Sequence, residues 1–242
     1  MITLIGTGHV FDLRNQILEI LDRKQPDLIC VELDEKRYAA LMQRKNGNVK
    51  ATANKNASTL YRLLGKFQES MAKQYGVQAG DEMLTGIQFA HDHQRPIAFI
   101  DVAADQMFAR MLREMSFTEK LRLFISSFGS MFVSKQKVDE EINKIETNLE
   151  SYLAQVGDKF PTIKRVLLDE RNQHMANQIR KAHDDYEEIV AIVGDGHIPG
   201  LKHLLEQQDQ LVETIRLKEL RKKKPKPEET SSASFSVEYN GW

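Results

Sequence analysis

The chain states one short pattern twice. Leu4-Ile5-Gly6-Thr7-Gly8-His9-Val10 stands near its start and Ile192-Val193-Gly194-Asp195-Gly196-His197-Ile198 far along it. Each copy is an apolar run of strand type, then Gly-x-Gly-His, then a helical pattern. A strand that ends in a glycine turn before a helix delivers its last residues to the carboxyl edge of a sheet, where α/β folds place ligands. Two histidines brought to that edge from distant parts of the chain point to one site built from both halves. A single histidine after a strand has a plainer reading as a structural residue, but packing alone does not require the pattern twice. The glycines also suit any strand-to-helix turn. The dinucleotide fingerprint Gly-x-Gly-x-x-Gly is completed after neither strand.

Between the two copies, strands alternate with helices. Residues 2–6 read as the first strand, followed by a helix at 12–24 with Leu13, Ile17, Ile20 and Leu21 on one face. Leu28-Ile29-Cys30-Val31 is continuously apolar, as expected of a strand buried on both faces. Helices are expected at 58–75 and from Asp81 to His93, a third strand at 96–101, and a fourth from Glu188 to Val193. Leu211 to Leu217 alternates as a further strand, and Ser234 to Tyr239 as another. This order predicts an α/β fold with a mainly parallel sheet flanked by helices. From about 104 to 183 the chain reads as helical throughout, too long for a simple crossover, which predicts a helical cap inserted between the third and fourth strands. Within it, Ser116-Phe117-Thr118-Glu119 has capping-box spacing, and Pro161 opens a helix at 161–182. The α/β domain is expected to occupy 1–217, with 218–242 a basic linker and tail.

Composition narrows the function classes. With 242 residues, 41% of them hydrophobic, the chain can bury a real core, and a net charge of -1 gives no footprint for nucleic acid. The basic run Lys218 to Lys226 reads as a solvated linker. The single cysteine, Cys30, lies within an apolar strand and forms no internal disulfide, which fits a reducing compartment. The longest uncharged stretch in the helical middle, Leu123 to Ser134, has 12 residues, where a membrane span needs about 20. A strand begins at Ile2 with no basic leader before it, so a cytoplasmic protein is expected. Phe117, Phe124, Phe128 and Phe132 mark core packing or the face of a homodimer.

Four strands end in polar residues: His9, Glu32 with Asp34, Asp101, and His197. Two imidazoles with carboxylates suit zinc, manganese, cobalt or iron rather than calcium. A divalent ion there lowers the pKa of its water, and a carboxylate off the metal can act as base. Strand-end carboxylates also cap helices, which is the competing reading for Asp34 and Asp101. Glu32 directly follows four apolar residues, where an unpaired charge is costly. Arg171 falls within the apolar stripe Leu167, Leu168, Met175 and Ile179, and so needs an anionic partner. It serves either a buried ion pair between cap and sheet or a cation facing the site.

Taken in order, several motifs resemble the TraB/PrgY family over residues 1–217. They are Gly6-Thr7-Gly8-His9-Val10, Pro26-Asp27 leading to Val31-Glu32-Leu33-Asp34 and Arg37-Tyr38, Gly80-Asp81-Glu82-Met83, Glu170-Arg171, and Gly194 to Gly200. That family is related to the TIKI metalloproteases and, more distantly, to erythromycin-esterase-like and ChaN-like proteins. PrgY members are associated with shutdown of peptide pheromone signals, and TIKI members are metal-dependent peptidases using the two motif histidines and a glutamate. The resemblance implies His9, Glu32 and His197 as ligands of a divalent ion (manganese, cobalt or zinc), with Glu82 and Arg171 as catalytic residues. Glu82 enters chiefly through it. Asp34, Arg37, Asp101 and Glu170 are expected to bind substrate. The chain departs from the family where Asp101-Val102-Ala103 stands in place of Asp-Arg-Asp. The implied activity is metal-dependent hydrolysis of peptides. The alternatives are a module that sequesters a peptide or small ligand without cleaving it, and a metal-independent esterase-like enzyme.

Overall fold

The computed structural model describes residues 1–8, 11–45, 80–122, 154–155 and 157–222. His9, the expected helix at 58–75, most of the charged segment 134–157 and the expected strand at 234–239 lie outside the described residues.

Five strands form one all-parallel sheet: β1 (Ile2–Thr7), β2 (Leu28–Val31), β3 (Ile97–Phe99), β4 (Ile189–Gly194) and β5 (Val212–Ile215), in the order β3-β2-β4-β1-β5. The α/β expectation therefore holds, and β4, which carries the second Gly-x-Gly-His motif, is the central strand. β4 pairs with β1 from Ile2↔Ile189 to Thr7↔Gly194, and with β2 from Leu28↔Ile189 to Val31↔Ile192. These registers bring the two Gly-x-Gly-His strands side by side with their carboxyl ends level.

Alternation along each strand divides the core in two. Ile5, Ile29, Val31, Val190 and Ile192 face a layer containing α1 (Arg14–Lys24) and α3 (Asp81–Asp92). Between those helices in the chain lies α2 (Glu35–Lys45). Ile2, Leu4, Cys30, Ala191 and Val193 face the opposite layer, formed by the helix at Glu170–His183 and by another at Ile198–Glu206. Apolar side chains on both faces explain why these strands read as unbroken hydrophobic runs. Burial pushes the Cys30 thiol up to about 12, so it packs as a small apolar residue.

Helix α1 leaves β1 over one face, and the helix after β4 leaves over the other. Adjacent parallel strands whose connections part in this way open a crevice at their carboxyl ends.

After β3 come α4 (Ala104–Glu114), then α5 (Pro161–Lys164), a π-helical turn at Arg165–Asp169, and α6 (Glu170–His183). Met107, Met111 and Met115 of this region pack on Val166 as a small separate core. The capping box at Ser116 is formed: Glu119 N donates to Ser116 Oγ at 3.2 Å, and Ser116 N donates to Glu119 Oε2 at 2.9 Å. The same carboxylate accepts Thr162 N at 2.8 Å and Thr162 Oγ1 at 3.0 Å, so Glu119 secures a second helix start as well. The chain continues through a 3₁₀ turn at Asp195–His197, α7 (Ile198–Glu206), β5 and α8 (Leu217–Lys222). Among the described residues no helix is long and apolar enough to cross a membrane.

Candidate functional site

The crevice at the ends of β1, β2 and β4 is filled by charge. Glu32 continues β2 by one residue, its N donating to Ile192 O at 3.1 Å, and is 6% exposed. Its Oε2 accepts Gly194 N at 2.6 Å. Its Oε1 accepts Arg171 Nη2 and lies 3.4 Å from His197 Nε2. Burial pushes the Glu32 carboxyl up, but His197, the Arg171 guanidinium and the Gly194 N–H together hold it well below the usual carboxylate range.

Arg171 donates from Nε to Asp101 Oδ1 at 2.9 Å, from Nη2 to Asp101 Oδ2 at 2.8 Å and to Glu32, and from Nη1 to Leu167 O at 3.1 Å. Four of its five N–H groups can thus be assigned to protein acceptors. Burial weakens its charged form, but the Glu32 and Asp101 carboxylates outweigh this and raise its affinity for the proton. Arg37 Nη1 adds a further bond to Asp101 Oδ2 at 2.9 Å. Two carboxylates and two guanidinium groups balance.

The π turn accounts for where α6 points. Thr162 and Val166 are buried one helical turn apart, and a regular helix would next present residues 169 and 170. One extra residue in the turn presents Arg171 and Asn172 instead. Leu167 and Leu168, expected in the core stripe, are half-buried for the same reason, while Asn172 is buried at 5% exposure. Its Oδ1 lies 2.6 Å from His197 Nδ1.

The remaining sequence candidates divide. Asp34 caps α2: Oδ1 accepts Lys36 N at 2.9 Å and Arg37 N at 3.0 Å. Asp101 accepts Val102 N at 2.8 Å besides the two arginines. Glu170 accepts from Arg110 and Arg165. Glu82, 3% exposed, lies in the first turn of α3 and lines a cavity of about 100 Å3 with Phe11, Leu13, Arg14, Asp81 and Thr85. The second motif also has a structural acid. Asp195 accepts Arg216 Nε and Nη2 at 2.9 and 2.8 Å and Leu217 N at 2.9 Å, and its Oδ1 would stand 2.3 Å from a Cβ added at Gly6.

Asn172, Asp195 and Arg216 were not foreseen from the sequence. The only early signal was position: Asp195 lies inside the repeated motif, and Asn172 follows Arg171.

Among the described residues no group of three His, Cys, Asp or Glu side chains is placed to hold a metal ion. His197 and Glu32 nevertheless suit two positions of such a site. Ligand atoms about 2.0–2.1 Å from one tetrahedral ion stand about 3.3–3.4 Å apart, which matches the 3.4 Å between Nε2 and Oε1.

Comparison with known proteins finds relatives that match most of the chain. An uncharacterized protein of Methanocaldococcus jannaschii is 29% identical over 232 residues, covering 91% of this chain and 58% of that protein. The human TraB domain-containing protein is 24% identical over 239 residues, covering 82% of this chain and 61% of its own length. The chain therefore spans about three-fifths of the relatives it matches. The profile of the TraB/PrgY/gumN family matches residues 1–214, both histidine motifs included, and the chain belongs to that family.

Proposed function

We propose that the chain is a metal-dependent hydrolase acting on peptides. The observation that carries this reading is the 3.4 Å approach of His197 Nε2 to Glu32 Oε1 in the crevice between diverging crossovers. His197 and Glu32 hold a manganese, cobalt or zinc ion, with His9 of the first motif as third ligand. A bound ion of this kind supplies a Lewis acid and a water acidic enough to react near neutral pH.

The chain's own residues do the rest. Arg171 and Gly194 hold the Glu32 carboxylate in its charged form and in one orientation. Glu82, which lines the cavity beside Phe11 and Arg14, serves as general base. Arg37, fixed on one side by Asp101 and 36% exposed in its side chain, meets the substrate at the mouth. The likeness of the motifs to peptidases of the TIKI type supports a peptide substrate.

A second reading is favoured by the charge balance of the cluster, since Glu32 and Asp101 are already matched by Arg171 and Arg37. In that reading the cleft binds a peptide without cutting it.

One set of measurements separates the two. Protein purified without chelator is analysed for metal and incubated with a mixed peptide library plus manganese, cobalt or zinc, with products read by mass spectrometry. Cleavage is expected for wild type, with loss of both metal and rate in His197→Ala. Glu82→Gln should retain metal and lose about 100-fold or more in rate. Retention of uncut peptides under every metal would establish the binding module instead.

A further inference from the structure

We infer that Asn172 is a positioning residue that sets the ligating form of His197. The inference rests on His197 being the metal ligand of the proposed function. Both side chains are buried, at 5% and 6% exposure, and Asn172 Oδ1 lies 2.6 Å from His197 Nδ1. An amide oxygen only accepts, so Nδ1 carries the hydrogen in this pair. The neutral ring then has its lone pair at Nε2, which faces Glu32 Oε1 at 3.4 Å, an opposition of two acceptors that a cation between them would relieve. A ligating histidine held through its other nitrogen is oriented and made more basic toward the ion.

Two independent features of the fold build this contact. The first is the π turn at Arg165–Asp169, whose extra residue rotates Asn172 inward. The second is Gly200 in the first turn of α7, where an added Cβ would stand 2.2 Å from Asn172 Nδ2. Only a residue without a side chain leaves room for the amide.

The test uses the full chain labelled with 15N at histidine. In metal-free protein at about pH 8.5, above the usual histidine range, long-range proton–nitrogen correlation should show His197 as the Nδ1–H tautomer. Asn172→Leu, which removes the acceptor, should move His197 toward Nε2–H and weaken zinc binding about 10- to 100-fold. Asn172→Asp should restore the Nδ1–H bond and most of that affinity. An Nε2–H tautomer in wild type overturns the inference, as does zinc affinity unchanged in a folded Asn172→Leu protein. If wild type takes up no zinc, the metal reading fails, and the wild-type tautomer alone decides the role of Asn172.

Discussion

Arg171 and Glu32, 139 residues apart in the chain, meet in a buried ion pair that joins α6 to the end of β2. The guanidinium also holds Asp101 through two parallel bonds, so one side chain fastens two strand ends. Arg171→Met leaves both acids buried without their main partner. A loss of about 3–5 kcal/mol in unfolding free energy is expected, read by urea denaturation. A loss under 1 kcal/mol would show that the pair is not what holds α6 to the sheet.

Glu119 offers a test through pH. Burial pushes its carboxyl up, but the Ser116 and Thr162 donors hold it below the ordinary value. A carboxylate lowered on folding contributes stability above its unfolded pKa, and that contribution fades as pH falls through the folded one. Glu119→Gln should therefore be less stable than wild type at pH 7, by about 0.5–2 kcal/mol as for other lost caps. The two proteins should converge as pH falls from the ordinary carboxylate range through the lower folded value of Glu119. A gap that widens on acidification would reverse the assignment.

Asp195 and Gly6 should behave as a coupled pair, since a methyl group at position 6 would meet the Asp195 carboxylate. Gly6→Ala is expected to cost about 1–3 kcal/mol, the usual penalty of overpacking. In an Asp195→Ala background the same change should cost clearly less. A double-mutant cycle by thermal unfolding measures the difference, and strict additivity would disprove the contact.

Gly200→Ala tests the room around Asn172 from the opposite side. The added methyl should displace the amide and lower stability by about 1–3 kcal/mol. A companion Asn172→Ala substitution, which removes the obstruction, should recover part of the loss contributed by Gly200→Ala. Calorimetry of the two single variants and the double variant decides this.

Much of the fold was legible because its signals are local. Unbroken apolar runs such as Leu28 to Val31 and the turn residues after them marked the strands, and Ser116 to Glu119 marked a helix start. The need of Arg171 for an acidic partner followed from its apolar neighbours, and Glu32 fills that need. The strand order was not legible, because no local pattern tells β4 to enter between β1 and β2. The π turn was missed for a related reason. One inserted residue leaves the apolar spacing close to helical while rotating everything after it, so Leu167 and Leu168 were read as core and Asn172 was overlooked. Asp34 and Asp101 illustrate a different limit. A strand-end acid reads alike whether it awaits a ligand or binds its own backbone, and Asp34 binds the amides of Lys36 and Arg37.

The place of β4 has a consequence for how the chain reaches this structure. Ile2 pairs with Ile189, and β1 has no hydrogen-bonded contact with β2 except through the strand between them. A nascent chain emerging from the ribosome therefore exposes two apolar strands early, with no native way to satisfy each other. They must wait for β4, whose first residue, Ile189, lies 158 positions after Val31. Parallel pairing across so long a loop is slow, and open strand edges invite association in the meantime. The vulnerable species is thus a nascent chain lacking β4, and holding such chains apart is the task this topology leaves to the cell's chaperones.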